Sequence, residues 1–406
     1  MKHVKIEVVI PGMITAEDII GHGKQLILPK GLVLTDKAIH RLETYNIHDI
    51  RIEDPIGIVV EEIDDSEPAI IPTLGVEDSV LIDSADSILS ALSGIDLSAA
   101  VSSEPSVVVK QQEEPSHFEK VQASKEFHAF KETFESNVSD LKCSINDIVE
   151  KNAPIEVDHM IDSTLQLINS QANSFGVFDM LHNMRQFDDL TYAHSMNVAL
   201  ICNVFSEWLG FTKEESKLAT ACGMLHDIGK LKIADSIIKK PNKLTGKEYR
   251  IIQSHPIEGY KILQHQDISE HIKNSALMHH EKCDGSGYPL HLPSEKIDSY
   301  AKLVAIADVY DAMTSKRVYR GALCPFKVIE LFENEGLHKY DIVYIMTFLE
   351  NVINTYIDNR VLLSDGRIGT IKWIDKQRLS RPMVQLTDGS FLELSKSNDL
   401  FIEQIL

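Results

Sequence analysis

The sequence predicts a multidomain, mainly α-helical protein. A central all-α domain is flanked by a small α+β module on its amino-terminal side and a small antiparallel β appendage at its carboxyl end. Three observations carry this. Phe127, Phe130, Phe134, Val138, Leu141, Ile145 and Ile148 recur at spacings of three and four, which places them on one helical face. The pairs Asp365-Gly366 and Asp388-Gly389 separate short strand-like runs, a hairpin signal. Residues 61–120 hold 14 acidic side chains against two basic ones, so a charged, core-poor stretch divides the chain.

At 406 residues there is room for about two to four domains. Residues 1–60 read as the α+β module. Lys5 to Ile10 alternates weakly like a strand until Pro11-Gly12, and Leu26-Ile27-Leu28 is a second short run before the turn at Pro29-Lys30-Gly31. Thr35 can cap a helix with Ala38, Ile39, Leu42 and Tyr45 on its apolar side, and Ile47 to Ile52 closes the module as a strand. Residues 61–116 form an acidic, mostly flexible linker.

The helical pattern begins near Phe118. The Phe127–Ile148 stripe is either a face packed on its own domain or a coiled-coil seam joining two copies as a homodimer through the 127–148 helix. Further helices are expected over Ile161–Ser174, His194–Leu209, Glu214–Leu225, Gly246–Gln264 and Ile268–His280, giving an all-α domain over residues 117–355. In residues 356–406, strands are expected at Arg360–Leu363, Ile368–Ile374, Met383–Leu386 and Phe391–Leu394.

Charge and composition exclude several classes. The net charge of −21 opposes binding to nucleic-acid polymers or anionic membranes, both of which need positive fields. No run reaches the ~20 apolar residues of a membrane span, and the start of the chain lacks a signal-peptide core. Five cysteines without a CxxC pair argue against a disulfide framework, so the expected location is cytoplasmic.

The central domain also concentrates donor atoms. His194, the pair His226-Asp227, His255, the pair His279-His280 and Asp308 fall within 115 residues. Seven nitrogen and oxygen donors suit two first-row metals if one carboxylate bridges them, and imidazole with carboxylate selects Mn, Fe, Co, Ni or Zn. Lys230 lies three residues after the His226-Asp227 pair, where a cation would steady an anionic phosphate. Arg317 and Arg320 follow Asp308 and Asp311 closely; their guanidinium forks match phosphate oxygens, or equally pair with the abundant surface acids.

These residues resemble a known family. His226-Asp227 with Gly229-Lys230 is similar to the HD phosphohydrolase superfamily. The run His279-His280-Glu281-Lys282-Cys283-Asp284-Gly285-Ser286-Gly287-Tyr288-Pro289 resembles the HHExxDGxGYP element of HD-GYP cyclic di-GMP phosphodiesterases. The likeness runs over about residues 180–330, through Lys240-Pro241, Lys243-Leu244-Thr245, His255-Pro256 and Ala307 to Thr314.

The resemblance implies an HD-type helical fold and hydrolysis of cyclic di-GMP to pGpG, or on to GMP. One metal would be held by His194, His226 and Asp308 and the other by His255, His279 and His280, with Asp227 bridging. Both would be divalent, iron or manganese, and would activate a water to attack phosphorus in line with the departing ribose oxygen. Asp227 and Lys230 would carry the catalysis, Lys230 binding the scissile phosphate, while Asp311, Arg317 and Arg320 would position the dinucleotide. Gly287, Tyr288 and Pro289 form the GYP loop, which the family associates with protein partners and with shaping the site; the amino-terminal module is another surface for partners. From the residues alone, core packing of Tyr288 is an equal reading.

Two departures from the family pattern stand out. Leu190 occupies the place where some members carry a third-metal glutamate, so two metals are expected, and Lys282 replaces the usual arginine. The alternatives to cyclic di-GMP hydrolysis are an enzyme for another cyclic dinucleotide, such as cyclic GMP-AMP, and a receptor or interaction module with little turnover.

Overall fold

The computed structural model describes residues 2–5, 15–16, 19–20, 26–28, 30, 34, 49–52, 117–170, 174–184, 190–240, 244–315, 322–397 and 399–406. These fall into two compact units, residues 1–75 and 76–406. In the first, β1 (Lys2–Lys5) pairs antiparallel with β4 (Asp49–Ile52), while β2 (Ile19–Ile20) pairs with β3 (Leu26–Leu28). Its described core is small: Ala16, Ile19, Leu34 and Ile50 are buried. The first strand therefore begins at Lys2 rather than Lys5. The expected strand residues 6–10, the helix after Thr35 and the 61–116 linker lie outside the described residues.

The second unit is helical from α1 (His117–Gln122) onward. Ser124 caps α2 (Lys125–Lys151), its side chain accepting the Phe127 N–H at 3.0 Å. All seven stripe residues of α2 are buried within the chain, because α2 lays that face on α3 (Val157–Asn169) and on α5 (Leu190–Trp208), beyond α4 (Ser174–Asn183). The packing alternative thus accounts for the periodicity, and the stripe is not available as a dimer seam.

The centre is built from α5, α6 (Lys213–Leu225), α7 (Gly246–Ile252), α8 (His255–Leu263), α9 (Glu270–Met278) and α10 (Ser299–Thr314). Helix α5 packs along α6 and α10, and α9 touches α6, α8 and α10. Thr212 with Glu215 and Thr245 with Glu248 form capping boxes that start α6 and α7. The single helix expected over Gly246–Gln264 is two helices. Gln253 and Ser254 separate them, and the new start places His255 and Pro256 in the first turn of α8.

Helices α11 (Pro325–Leu331) and α12 (Ile342–Val352) lead into the carboxyl-terminal sheet. That sheet has five strands, all pairs antiparallel, in the order β8-β7-β6-β5-β9: β5 is Arg360–Leu363, β6 Ile368–Trp373, β7 Met383–Leu386, β8 Phe391–Glu393 and β9 Ile402–Ile405. Gly366 and Gly389 take φ of +84° in the two Asp-Gly turns, which only glycine adopts without strain. The last strand was not expected from sequence. Two carboxylates, one in α11 and one just after it, tie the sheet down: Glu330 pairs with Arg381 at 2.7 Å, and Glu333 accepts the N–H groups of Leu379 and Ser380.

Candidate metal centre

Four helices and one tight turn deliver the seven candidate ligands to one place. His194 comes from α5 and Asp308 from α10, both mid-helix. His226 and Asp227 lie where α6 gives way to a 3-10 turn, Ile228–Lys232. His255 opens α8, and His279 and His280 follow the last turn of α9. None of the seven is more than 6% exposed.

Gly229 sets the closeness of two of these elements. A Cβ there would stand 2.0 Å from the His255 carbonyl oxygen and 2.4 Å from the Gly259 nitrogen. Only a residue without a side chain lets the turn after Asp227 press onto the start of α8.

Hydrogen bonding fixes the tautomers of three rings. Nδ1 of His226 faces the Gly223 carbonyl at 2.7 Å, Nδ1 of His255 faces that of Ile252 at 2.7 Å, and Nδ1 of His279 faces that of Ser275 at 3.0 Å. A carbonyl only accepts, so each Nδ1 carries the proton and each Nε2 presents a lone pair. Nε2 of His255 and Nε2 of His279 nonetheless stand 3.1 Å apart, and Nε2 of His226 is buried with no hydrogen-bond partner. Converging buried lone pairs repel unless a cation lies among them.

Asp227 sits between two donor groups. Its Oδ2 is 3.3 Å from His226 Nε2 and 3.6 Å from His194 Nε2, whereas its Oδ1 is 3.3 Å from His255 Nε2 and 3.7 Å from His279 Nε2. Oδ1 has no hydrogen-bond partner. Ligands about 2.0–2.2 Å from a shared metal lie roughly 3–3.6 Å apart, the spacing seen here. Donor atoms of His194, His226 and Asp308 all fall within 4.8 Å of one another, as do those of His255, His279 and His280, and those of His226, Asp227 and His279. Orphaned atoms, spacing and donor chemistry all fit divalent cations.

Electrostatics agree. Burial holds the His279 and His280 imidazoles well below their ordinary value, and neighbouring histidines add to the effect, so both present neutral rings. For Asp227 burial pushes the carboxyl up, but the surrounding imidazoles, His226 first, and the Lys230 ammonium more than reverse this and hold it well below the carboxylate range. Asp308 behaves alike: burial acts upward, and the hydrogen bond and charge of His194 prevail.

The remaining candidates separate. Lys230 reaches Asp227 Oδ2 at 2.6 Å while its side chain stays partly exposed at the rim. Asp311 meets the centre through His194. It is buried behind His194, its Oδ2 2.7 Å from Nδ1 of that ring, and its Oδ1 accepts from Asn197 and Ser315. Arg317 and Arg320 lie outside the described residues.

The GYP loop is part of the same wall. Tyr288 stacks on His280 with ring centroids 4.6 Å apart, so it is neither a free aromatic nor a core residue. A Cβ on Gly287 would come within 2.3 Å of the Lys282 nitrogen, which explains the glycine. Glu281, treated in the sequence only as part of a motif, is a buried clamp: Leu290 and Leu292 donate their N–H groups to its two oxygens at 2.6 and 3.0 Å. The signal available was an acidic residue directly after two histidine ligands. Lys282 is also buried, donating to the Tyr340 hydroxyl at 3.0 Å and lying near its ring face.

Comparison with known proteins places these features. Residues 157–342 match the family model described as an HD domain. Cyclic di-GMP phosphodiesterase PA4108 of Pseudomonas aeruginosa is 31% identical over 207 residues, 51% of this chain and 50% of that protein. The 3'3'-cGAMP-specific phosphodiesterase 1 of Vibrio cholerae is 38% identical over 145 residues, 36% of this chain and 34% of that protein. A cyclic di-GMP phosphodiesterase of Thermotoga maritima is 35% identical over 149 residues, 36% of this chain and 40% of that protein. The chain spans a half or less of the length of these relatives. No helix among the described residues is long and apolar enough to cross a membrane.

Proposed function

We propose, with residues 157–342 an HD domain as the premise, that this chain is a metal-dependent phosphodiesterase converting cyclic di-GMP to pGpG. One observation carries the proposal: the two oxygens of Asp227 face two separate sets of buried donors. In this reading His194, His226 and Asp308 hold one divalent cation, His255, His279 and His280 hold a second, and Asp227 links them. Such cations, when bound, supply Lewis-acid polarisation of a phosphoryl oxygen and a water that ionises near neutral pH.

The chain's own groups do the rest. The main-chain carbonyls behind His226, His255 and His279 keep each Nε2 turned inward, so the donors need no reorganisation on binding. Lys230, at the rim beside Asp227, offers an ammonium to a non-bridging phosphate oxygen, and its charge favours the added negative charge of the transition state. Arg317 and Arg320 grip the second phosphate of the diester. Tyr288, held on His280 by the Glu281 clamp, lines the approach.

A second substrate is favoured by a specific observation, since three of the relatives are named as 3'3'-cGAMP-specific. The test is hydrolysis of cyclic di-GMP and 3'3'-cGAMP by metal-loaded protein, resolved by chromatography, beside His226→Ala and Asp227→Ala. Linear dinucleotide from the first substrate, lost in both variants, supports the proposal. Cleavage of only the second reassigns the substrate, and binding without cleavage of either makes the chain a receptor.

A further inference from the structure

We infer that Asp311 is a positioning residue that strengthens cation binding at the His194 position, rather than a contact for the dinucleotide; the inference rests on the metal-centre reading above. Asp308 and Asp311 lie one turn apart on α10, and their carboxylates face the two nitrogens of one imidazole: with the proton on Nδ1 toward Asp311, Nε2 and the Asp308 oxygen are both lone-pair donors for one cation. Oδ1 of Asp308 is 2.9 Å from Nε2 of His194, and Oδ2 of Asp311 is 2.7 Å from Nδ1. The i, i+3 spacing matches the width of the ring, so the two carboxylates grip it from its two polar edges.

Asp311 is itself held. Its other oxygen accepts from Nδ2 of Asn197 at 3.0 Å and from the Ser315 hydroxyl at 3.1 Å. Asn197 stands one turn after His194 on α5, so two i, i+3 pairs from two helices close a square around the ring. At 5% exposure and with three hydrogen bonds accepted, the Asp311 carboxylate has little left to offer a ligand.

The consequence is an inequality between the two positions. His226, His255 and His279 direct Nδ1 at neutral main-chain carbonyls, whereas His194 directs its Nδ1 at a carboxylate. An ionised partner fixes the tautomer, makes Nε2 the better donor and adds negative charge behind the ligand. Asp311 therefore tightens cation binding at the His194, His226 and Asp308 position in particular.

The experiment is chelator competition on the full chain loaded with Co²⁺, followed by visible absorption and metal analysis. The wild type is expected to release Co²⁺ in two phases. Asp311→Asn, nearly isosteric, is expected to weaken one phase about 10–100-fold and leave the other in place. Asn197→Ala is expected to shift the same phase by less. The melting temperature of the metal-stripped chain should match between wild type and Asp311→Asn, which separates positioning from a general structural role.

An Asp311→Asn chain that releases both ions as the wild type does, with only its KM for cyclic di-GMP raised, would overturn the inference in favour of a substrate contact. Equal weakening of both phases with a lowered metal-free melting temperature would overturn it as well. A wild type that takes up no Co²⁺ at all overturns the underlying metal-centre reading and the inference with it.

Discussion

Replacing Gly229 by alanine tests how the fold assembles the centre. The new Cβ would stand 2.0 Å from the His255 carbonyl oxygen, where real Cβ contacts do not fall below 3.0 Å. The turn and the start of α8 must then part by about 1 Å or more. Asp227 Oδ1 and His255 Nε2, now 3.3 Å apart, sit on those two elements and would separate with them. Metal sites tolerate roughly 0.2 Å in their ligand distances, so the three-histidine position should lose its cation. Overpacking against backbone costs about 1–3 kcal/mol or more, equivalent to a fall of several degrees in melting temperature for a unit of this size. Gly246→Ala is the control, because a Cβ there meets nothing within 4 Å. Calorimetry and metal analysis of both variants decide the matter. A Gly229→Ala chain with wild-type melting temperature and full metal content would refute the close approach as the determinant.

Other consequences follow from the same geometry. Glu281→Ala leaves two N–H groups without acceptors at about 1–3 kcal/mol each where buried, so amide exchange at Leu290 and Leu292 should accelerate while that of α5 stays slow; unchanged exchange at both would rule out the clamp. Phe134→Ala should cost about 3–5 kcal/mol, and the urea midpoint should not depend on protein concentration; a midpoint that rises with concentration would return the stripe to a dimer seam. The pH dependence of the metal-free chain has a definite sign. His279 and His280 have folded values below their unfolded ones, so the stabilisation they confer is present above about pH 6.5 and is lost as pH falls from there through the folded values. The slope is at most about 1.4 kcal/mol per pH unit for each. Asp227 and Asp308, also depressed, act in the same direction only below about pH 4. Urea midpoints that are flat between pH 7.5 and 5.5 would contradict the neutral, buried state of the two histidines.

Much of the architecture was legible because it rests on local pattern. The α2 stripe repeats at helical spacing over seven positions, and the Asp-Gly turns demand a backbone that glycine supplies. What escaped depended on relations between distant segments. Strand β9 is only Ile402–Ile405 and has no turn joining it to its partner β5, so nothing local marks it. The break between α7 and α8 carries no glycine, and Ser254 with His255-Pro256 is its only mark. The seven donors could be listed from sequence, but the sequence could not say which side of α10 meets His194. The resemblance gave Asp311 a part in positioning the dinucleotide, and the structure places it behind the ring, on Nδ1 of His194. Glu281 was hidden for a similar reason, since its partners Leu290 and Leu292 are main-chain N–H groups that a sequence does not advertise.

The proposed bridging role of Asp227 is tested most directly by metal analysis of the full chain after dialysis against trace Mn²⁺ or Fe²⁺ under anaerobic conditions, with Asp227→Ala and His255→Ala treated in parallel. Asp227 offers one oxygen to each donor set. The wild type should therefore hold about two ions per chain, His255→Ala about one, and Asp227→Ala fewer than either. Two ions retained in Asp227→Ala would contradict the bridge, and a wild type holding none would contradict the metal centre.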